Sequence, residues 1–171
     1  MLLKKKTKMR GQYQIYKGTG ALQASLISYN QKEHKTGAIY LEAANCKDKK
    51  NRTYDWANKI KFALGNGDLT QIFDMVAKGT PAEVKMFHVQ GGASAAKDQP
   101  GKRLVLKPGE GQYKGTWLFY FDDQTIDTKV MVSMTAGEFK IFLKLIEASL
   151  PSIYGFDSYG SYGAAVLIAD E

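Results

Sequence analysis

Apolar residues recur at helical spacing in two stretches of the chain. The first helix is predicted to begin at Asp68, with Gln71 as its capping-box partner, and to stop at Lys78-Gly79. Its apolar stripe consists of Leu69, Ile72, Phe73 and Val76. A stripe of this width is typical of a helix that covers a core.

The second helix is predicted to begin at Thr135, with Glu138 as its capping-box partner. Pro151 is expected to end it, because proline lacks the N–H that continues a helix. Its stripe consists of Phe139, Phe142, Leu143 and Ile146, and Ile141 and Leu145 widen it. This helix is also expected to cover a core.

The remainder of the chain alternates apolar and polar residues over short runs, which predicts β-strands. The candidate strands are 11–28, 38–45, 53–63, 84–89, 102–108, 112–122 and 126–134. Gly109-Glu110-Gly111 and Asp122-Asp123-Gln124 are predicted hairpin turns, and residues 90–101 a flexible loop. The order strands, helix, strands, helix indicates two structurally similar halves, although no repeat is visible in the residues themselves.

Length and composition are those of one soluble globular domain. The chain has 171 residues, of which 44% are hydrophobic and 24% charged. Its longest apolar run, residues 164–169, is far shorter than the ~18 residues of a membrane span. Cys46 is the single cysteine, so no intrachain disulfide is possible. The first residues have the pattern of neither a secretory signal peptide nor a long transit peptide. We therefore expect a cytoplasmic protein, in a cell or an infected host.

Positive charge is concentrated in the first part of the chain. Residues 1–61 contain fourteen Lys or Arg against four Asp or Glu, whereas residues 62–171 contain ten against thirteen. Residues 1–10 form a basic arm without an acid, which is either a solvated leader or an aid to binding a polyanion. Residues 158–171 form a Tyr/Gly tail ending in Asp170-Glu171, either disordered or an interaction tip. The predicted domain lies between them, at 11–157.

The usual signatures of catalysis and cofactor binding are missing from the sequence. His34, His88 and Cys46 lack the spacing of a zinc site, and Gly18-Thr19-Gly20 lacks the further glycine of a dinucleotide loop. We therefore expect neither an enzyme nor a cofactor. One alternative is a metal-dependent nuclease using Asp122, Asp123 and Asp127. Aspartate is common in turns for backbone reasons, and that interpretation is preferred.

Aromatic and basic side chains share several predicted strands. In 53–63, alternation places Tyr54, Trp56, Asn58, Ile60 and Phe62 on one face and Asp55, Ala57, Lys59, Lys61 and Ala63 on the other. In 112–122 it places Trp117, Phe119 and Phe121 opposite Leu118 and Tyr120. In 102–108 it places Arg103, Val105 and Lys107 opposite Leu104 and Leu106. Cationic strand faces with aromatic rings suit single-stranded nucleic acid, but the same rings also suit a plain core.

Several blocks of the sequence, in order, resemble the Whirly family of single-stranded DNA-binding proteins. They cover roughly residues 13–157 and are Tyr16-Lys17-Gly18-Thr19-Gly20-Ala21-Leu22, Tyr54-Asp55-Trp56, Lys61-Phe62-Ala63-Leu64, residues 102–108, residues 135–139 and residues 150–157. Each block is weak alone, and their shared order carries the resemblance. The sequence departs from the family at Thr19, where a lysine is usual, at Gly20, where an alanine is usual, and at Phe156, where a tryptophan is usual.

The resemblance implies an α+β fold. It has two antiparallel four-stranded β-sheets packed across one another, with two helices that also form a hydrophobic homotetramer interface. It further implies single-stranded DNA laid between sheets of neighbouring protomers. The lack of a long organellar segment favours a bacterial, phage or other non-plant relative that protects replication or recombination intermediates.

Residue pattern and resemblance together give one functional hypothesis, a sequence-tolerant single-stranded DNA-binding homotetramer. Its predicted phosphate contacts are Lys17, Lys59, Lys61, Arg103 and Lys107, and its predicted base-stacking residues are Tyr40, Trp56, Trp117 and Tyr120. For both tryptophans a core position is equally compatible with the pattern. RNA binding or transcriptional regulation on the same fold, and a scaffold that binds only proteins, remain alternatives. The tail is a further candidate, for a protein partner.

Overall fold

The computed structural model describes residues 10–79, 82–89 and 99–156. Within these ranges the strands are β1 (Arg10–Tyr16), β2 (Gly20–Ile27), β3 (Ala38–Asp48), β4 (Thr53–Tyr54), β5 (Ile60–Leu64), β6 (Val84–Val89), β7 (Gly101–Pro108), β8 (Thr116–Asp123) and β9 (Thr128–Thr135). The helices are α1 (Asn66–Ala77) and α2 (Ala136–Tyr154). No helix in the described part of the chain is long and apolar enough to cross a membrane.

The strands form two antiparallel sheets, each followed by a helix. In the first sheet the main strands lie in the order β1-β2-β3-β5, and the two-residue β4 extends it by pairing with the far end of β3. In the second sheet the order is β6-β7-β8-β9. Within each sheet the main strands are therefore paired in the order in which they occur along the chain. The predicted pair of strand–helix halves is confirmed.

One hydrophobic core joins the two sheets and both helices. In the first sheet, alternate residues of β3 and β5 face inward, including Leu41 and Phe62. In the second sheet, Leu104 and Phe119 face the same core. The helices contribute their predicted stripes, and the members that are buried are Leu69, Ile72, Phe139, Phe142 and Ile146. The predicted fold class, two antiparallel sheets packed across one another with two helices, is confirmed.

Gly20 of β2 packs closely against both β3 of its own sheet and β9 of the second sheet. A Cβ atom added there would lie 2.9 Å from the carbonyl oxygen of Ala44 and 3.0 Å from that of Met131. Both atoms belong to strand backbones, which cannot move aside as a side chain can. A residue with a Cβ atom would be crowded at this position, so the packing favours glycine.

The Gly20→Ala variant is expected to lower the free energy of unfolding by about 1–3 kcal/mol, because the added methyl overpacks the junction between the sheets. Urea denaturation of the variant and the wild type measures the difference. Gly67→Ala is the control, since nothing lies within 4 Å of its added Cβ and alanine favours the helix. Equal stability of Gly20→Ala and wild type would contradict the contact.

One predicted boundary of each helix needs correction, the start of α1 and the end of α2. Helix α1 begins at Asn66 rather than Asp68, and Asp68 is its third residue, where Oδ2 accepts a hydrogen bond from Gly65 N at 2.9 Å. The side chain therefore caps the helix from inside it. Helix α2 begins as predicted, with Thr135 as its N-cap. It does not end at Pro151, which lies in its last turn, but at Tyr154, and its C-cap Gly155 has a φ of 79° that glycine adopts readily.

Three predicted strands are wrong in their extent. Residues 11–28 are two strands joined by a turn at 17–19 rather than one. Residues 53–63 are broken by a short 3₁₀ turn, Trp56–Asn58. Strand β8 starts at Thr116, because Gly111–Tyr113 forms another 3₁₀ turn.

The predicted hairpin turns are also displaced. The link between β7 and β8 spans residues 109–115, longer than predicted, and Asp122 and Asp123 belong to β8, so the turn to β9 is 124–127. Of the predicted basic arm only Arg10 falls within the described residues, and the tail 158–171 lies outside them. Most of the loop 90–101 also lies outside them. The division into arm, domain and tail stays a prediction.

Candidate nucleic-acid interface

Each sheet has one face toward the core and one toward solvent, and we call the solvent-facing sides the outer faces. Because the inner faces share one core, the two outer faces lie on opposite sides of the domain. Five of the nine predicted site residues are divided between them. Tyr40 and Lys61 lie on the first outer face and Arg103, Lys107 and Tyr120 on the second.

The first outer face combines an exposed ring with an unpaired cation. Tyr40 on β3 is 36% exposed and lies opposite Ala63 of β5. Lys61, two residues earlier on β5, is its diagonal neighbour, within reach of a long side chain. Lys61 is exposed and makes no ion pair with any described residue. Lys59, by contrast, is held by Glu42 at 2.8 Å.

A row of hydrogen-bonded polar side chains crosses the first outer face. Tyr16 donates through its hydroxyl to Gln14 at 2.9 Å, and Gln14 donates to Gln23 at 2.9 Å. Gln23 in turn donates to Glu42 at 3.4 Å, so the row joins β1, β2 and β3. Amide groups held in this way can exchange hydrogen bonds with the edges of unpaired bases. Sequence reasoning missed this row, since it depends on the register between strands.

The second outer face repeats the combination of ring and cation. Tyr120 on β8 is 37% exposed, and Lys107 Nζ lies 5.7 Å from the centre of its ring. Lys107 also lies 3.8 Å from Glu110, an exposed and therefore weak pairing. Arg103, diagonal to Tyr120, makes no ion pair within the described residues. Phe87, 49% exposed and opposite Arg103, adds a ring that is not among the predicted site residues.

The two tryptophans occupy different places, and neither joins an outer-face ring cluster. Trp117 points inward from β8 and stacks on Phe139 of α2, with ring centroids 4.3 Å apart. Its predicted alternation with Tyr120 is confirmed, and the structure gives it a packing role. Trp56 lies half-buried in the 3₁₀ turn between β4 and β5. Because that turn changes the phase of the strand, Tyr54 faces outward while Phe62 faces the core, contrary to the prediction for 53–63.

Lys17 forms an ion pair at the start of helix α2. Its Nζ lies 2.8 Å from Glu138 Oε1, while Glu138 Oε2 accepts the backbone N–H of Thr135 at 2.7 Å. Burial raises the pKa of Glu138, but the hydrogen bonds from Lys17 and Thr135 outweigh it and leave the pKa below its usual value. This ion pair neutralises the charge of Lys17 and so reduces its attraction for a phosphate. Its predicted role as a phosphate contact stays a prediction.

The three carboxylates of the nuclease alternative are not brought together. Asp122 points to the second outer face, whereas Asp123 points inward and is 2% exposed. Asp123 lies 3.0 Å from Lys102 and accepts hydrogen bonds from Thr125. Asp127 sits in the following turn with a φ of 47°. Among the described residues no group of three His, Cys, Asp or Glu side chains could hold a metal ion.

Asp123 is expected to make stability depend on pH. Burial raises its pKa, but hydrogen bonds from Thr125 and the ammonium group of Lys102 outweigh burial and lower it below the usual value. A lowered folded-state pKa contributes stability above the unfolded-state pKa, and this contribution is lost as pH falls through the folded-state pKa. Asp123→Asn should therefore be less stable than wild type at about pH 7, with the gap narrowing below about pH 4. Urea denaturation across that range measures the gap, and a gap constant with pH would contradict the assignment.

A family profile described as "Whirly transcription factor" matches residues 15–145. The crystal structure of WHY1 from Arabidopsis thaliana has a TM-score of 0.74 and 21% identity, covering 94% of this chain and 94% of that chain. WHY3 from Arabidopsis thaliana has a TM-score of 0.72 and 23% identity, covering 95% and 99%.

A third similar structure is that of the plant transcriptional regulator PBF-2, with a TM-score of 0.69 and 20% identity, covering 90% of this chain and 96% of that chain. At these identities the structures establish the fold alone. No curated protein matches the sequence.

Proposed function

Because this chain belongs to the Whirly family, we propose that it binds single-stranded DNA through its outer faces, with little dependence on base sequence and without catalysis. The observation that carries the proposal is the same pairing on both faces. Tyr40 has the unpaired Lys61 as its diagonal neighbour, and Tyr120 has Arg103. Unpaired bases stack on such rings, while the cations neutralise the phosphates between them.

Single strands fit this arrangement better than duplex does. Bases in a duplex are already stacked on each other, and its grooves usually receive a helix or a two-stranded ribbon. An exposed tyrosine on a broad sheet offers a surface on which an extended strand can lie. We therefore assign the protein a role in protecting or organising single-stranded DNA during replication, recombination or repair.

We propose that the active form is a homotetramer in which DNA lies between the sheets of neighbouring protomers. The exposed apolar side chains on the helices support assembly: Val76 on α1 is 44% exposed, and Ile141 and Leu145 on α2 are 51% and 44% exposed. A single protomer directs its two candidate binding faces away from each other. A neighbour is needed to bring a first outer face and a second outer face to the same strand.

Titration of the full chain with labelled oligo-dT and with a duplex of equal length tests the proposal. Binding should favour the single strand and weaken with salt, by about 0.7 log unit per log unit of salt for each phosphate neutralised. A flat salt response, or equal affinity for duplex, would contradict it. A mass measurement of the free protein tests the tetramer, and oligomer that stays intact with Mg²⁺ separates binding from nuclease activity.

Regulation of transcription is the second candidate function. The matching profile is described as a transcription factor family, and one similar structure is that of a plant transcriptional regulator. This function uses the same DNA contacts but requires preferred sequences. Competition among oligomers of different sequence, with an RNA of matched sequence included, distinguishes it from sequence-tolerant binding.

A further inference from the structure

The turn between β3 and β4 carries a dense group of positive charges. Residues 47–52, which we call the basic hairpin, include Lys47, Lys49, Lys50 and Arg52. Lys47 lies 3.1 Å from Asp55. Lys49, Lys50 and Arg52 are exposed and make no ion pair with a described residue. Three cations in close sequence are therefore available to a polyanion.

Asp48 holds the shape of the basic hairpin. Its Oδ1 accepts the backbone N–H of Lys50 at 2.8 Å and that of Asn51 at 3.1 Å, and Oδ2 accepts the side-chain amide of Asn51 at 2.6 Å. These hydrogen bonds from Asn51 lower the pKa of Asp48, which keeps the carboxylate ionised. The carboxylate is occupied by its own turn and does not pair with Lys49, Lys50 or Arg52. These hydrogen bonds hold the backbone that carries the three basic side chains in one conformation.

An aromatic pair lies at the same end of the first sheet. Tyr16 and Tyr54 have ring centroids 5.3 Å apart, and Tyr16 is 47% exposed. Tyr54 is two residues beyond Arg52, and its hydroxyl donates to Lys17 O at 3.1 Å. Tyr16 is held by its hydrogen bond to Gln14, at the start of the polar row on the first outer face. Both rings are fixed before any ligand binds.

We propose that the basic hairpin and the Tyr16–Tyr54 pair form an additional single-stranded DNA contact at the end of the first sheet. The proposal rests on the proposed function and extends it beyond the outer faces. A strand that leaves the polar row stacks one base on Tyr16, and its next phosphates meet Lys49, Lys50 and Arg52. An unpaired base next to phosphates is a feature of single strands, because in a duplex the base is stacked on its neighbours.

A charge-matched pair of variants tests the hairpin. Lys49→Gln/Lys50→Gln removes two cations from the basic hairpin, and Lys32→Gln/Lys35→Gln removes two from the loop at the other end of β3. The two sites are separated by a strand of 11 residues, roughly 35 Å. All four side chains are exposed, so both variants should fold, which thermal unfolding checks.

Affinity for long oligo-dT falls as salt rises, and each phosphate contact contributes about 0.7 to the steepness of log affinity against log salt. The hairpin variant lacks two contacts, so its slope should be less steep than that of the wild type by about 1.4. The ratio of wild-type to variant affinity then changes about sevenfold over a fourfold change in salt. The control variant should keep the wild-type slope. Equal losses in both variants, or no loss in the hairpin variant, would overturn the inference while leaving the proposed function intact. Failure of the wild type to bind oligo-dT would instead remove the proposed function.

Substitution of Tyr16 tests the stacking half of the contact. Tyr16→Ala should weaken binding about fivefold to a hundredfold, whereas Tyr16→Phe keeps the ring and should bind nearly as the wild type does. Unchanged binding in Tyr16→Ala would overturn the stacking assignment.

Competition with duplex DNA tests whether the basic hairpin binds single strands. If duplex displaces oligo-dT from the wild type but not from the hairpin variant, the hairpin binds duplex DNA and the single-strand contact is wrong.

Discussion

Replacing Tyr40 by alanine is expected to weaken single-stranded DNA binding about fivefold to a hundredfold, and replacing Tyr120 is expected to do the same. A base stacked on an aromatic ring contributes about 1–3 kcal/mol, which corresponds to that range of affinity. Tyr40 and Tyr120 lie on opposite faces of the domain, each with a cation as diagonal neighbour. Fluorescence anisotropy with labelled oligo-dT at low salt measures both losses.

The controls for this pair are Tyr40→Phe and Tyr120→Phe, which keep the rings and should bind within about twofold of wild type. Loss in only one alanine variant would show that DNA follows one face, and the arrangement between neighbouring protomers would then be wrong. No loss in either variant would contradict stacking on the outer faces altogether.

The Trp117→Ala variant is expected to lower the free energy of unfolding by up to about 3 kcal/mol, the lower end of the range for deleting a buried aromatic side chain, because Trp117 is only partly buried. Trp117 stacks on Phe139, which itself lies near Phe119 and Phe142. Loss of the indole therefore removes contacts between β8 and α2. Urea denaturation measures the loss, and Trp117→Phe should recover most of the stability because it restores an aromatic contact with Phe139.

Trp56→Ala is the comparison for this prediction, because Trp56 lies half-buried in a short turn rather than between a sheet and a helix. Its stability loss should be clearly smaller. If Trp117→Ala keeps wild-type stability but loses DNA affinity, the packing role is wrong and Trp117 stacks on bases instead.

The sequence predicted the layout of the fold well because its signals are local. Alternation along 102–108 correctly separated core residues such as Leu104 from outward residues such as Arg103. The capping box at Thr135 correctly located the start of α2. Both signals depend on neighbours within a few positions, which a single sequence contains.

The errors arose where short turns interrupt a pattern. The 3₁₀ turn at Trp56–Asn58 changes the phase between Tyr54 and Phe62, and no residue there signals a break as glycine or proline would. The predicted start of α1 at Asp68 is two residues late, because the Asp68 side chain caps the helix from its third position. The pairings Lys17–Glu138 and Lys59–Glu42 join distant segments, so no pattern of spacing could have revealed them.

For the candidate site, the residue types were predictable and their grouping was not. Alternation of Val84 and Met86 with Lys85 predicts that Phe87 points outward, so its exposure could be found from the sequence. The pairing of Tyr16 with Tyr54, by contrast, depends on how β1, β3 and β4 align. Register between strands is a tertiary property, and it decides which side chains meet.

The opposition of the two outer faces has a consequence for how the protein responds to dilution. In the proposed homotetramer, ring-and-cation sets from neighbouring protomers meet the same strand, so occupancy should rise more steeply than the first power of protein concentration. By linkage, any ligand that prefers the assembled form must also strengthen assembly. Long single strands would then hold subunits together at concentrations where the free protein dissociates.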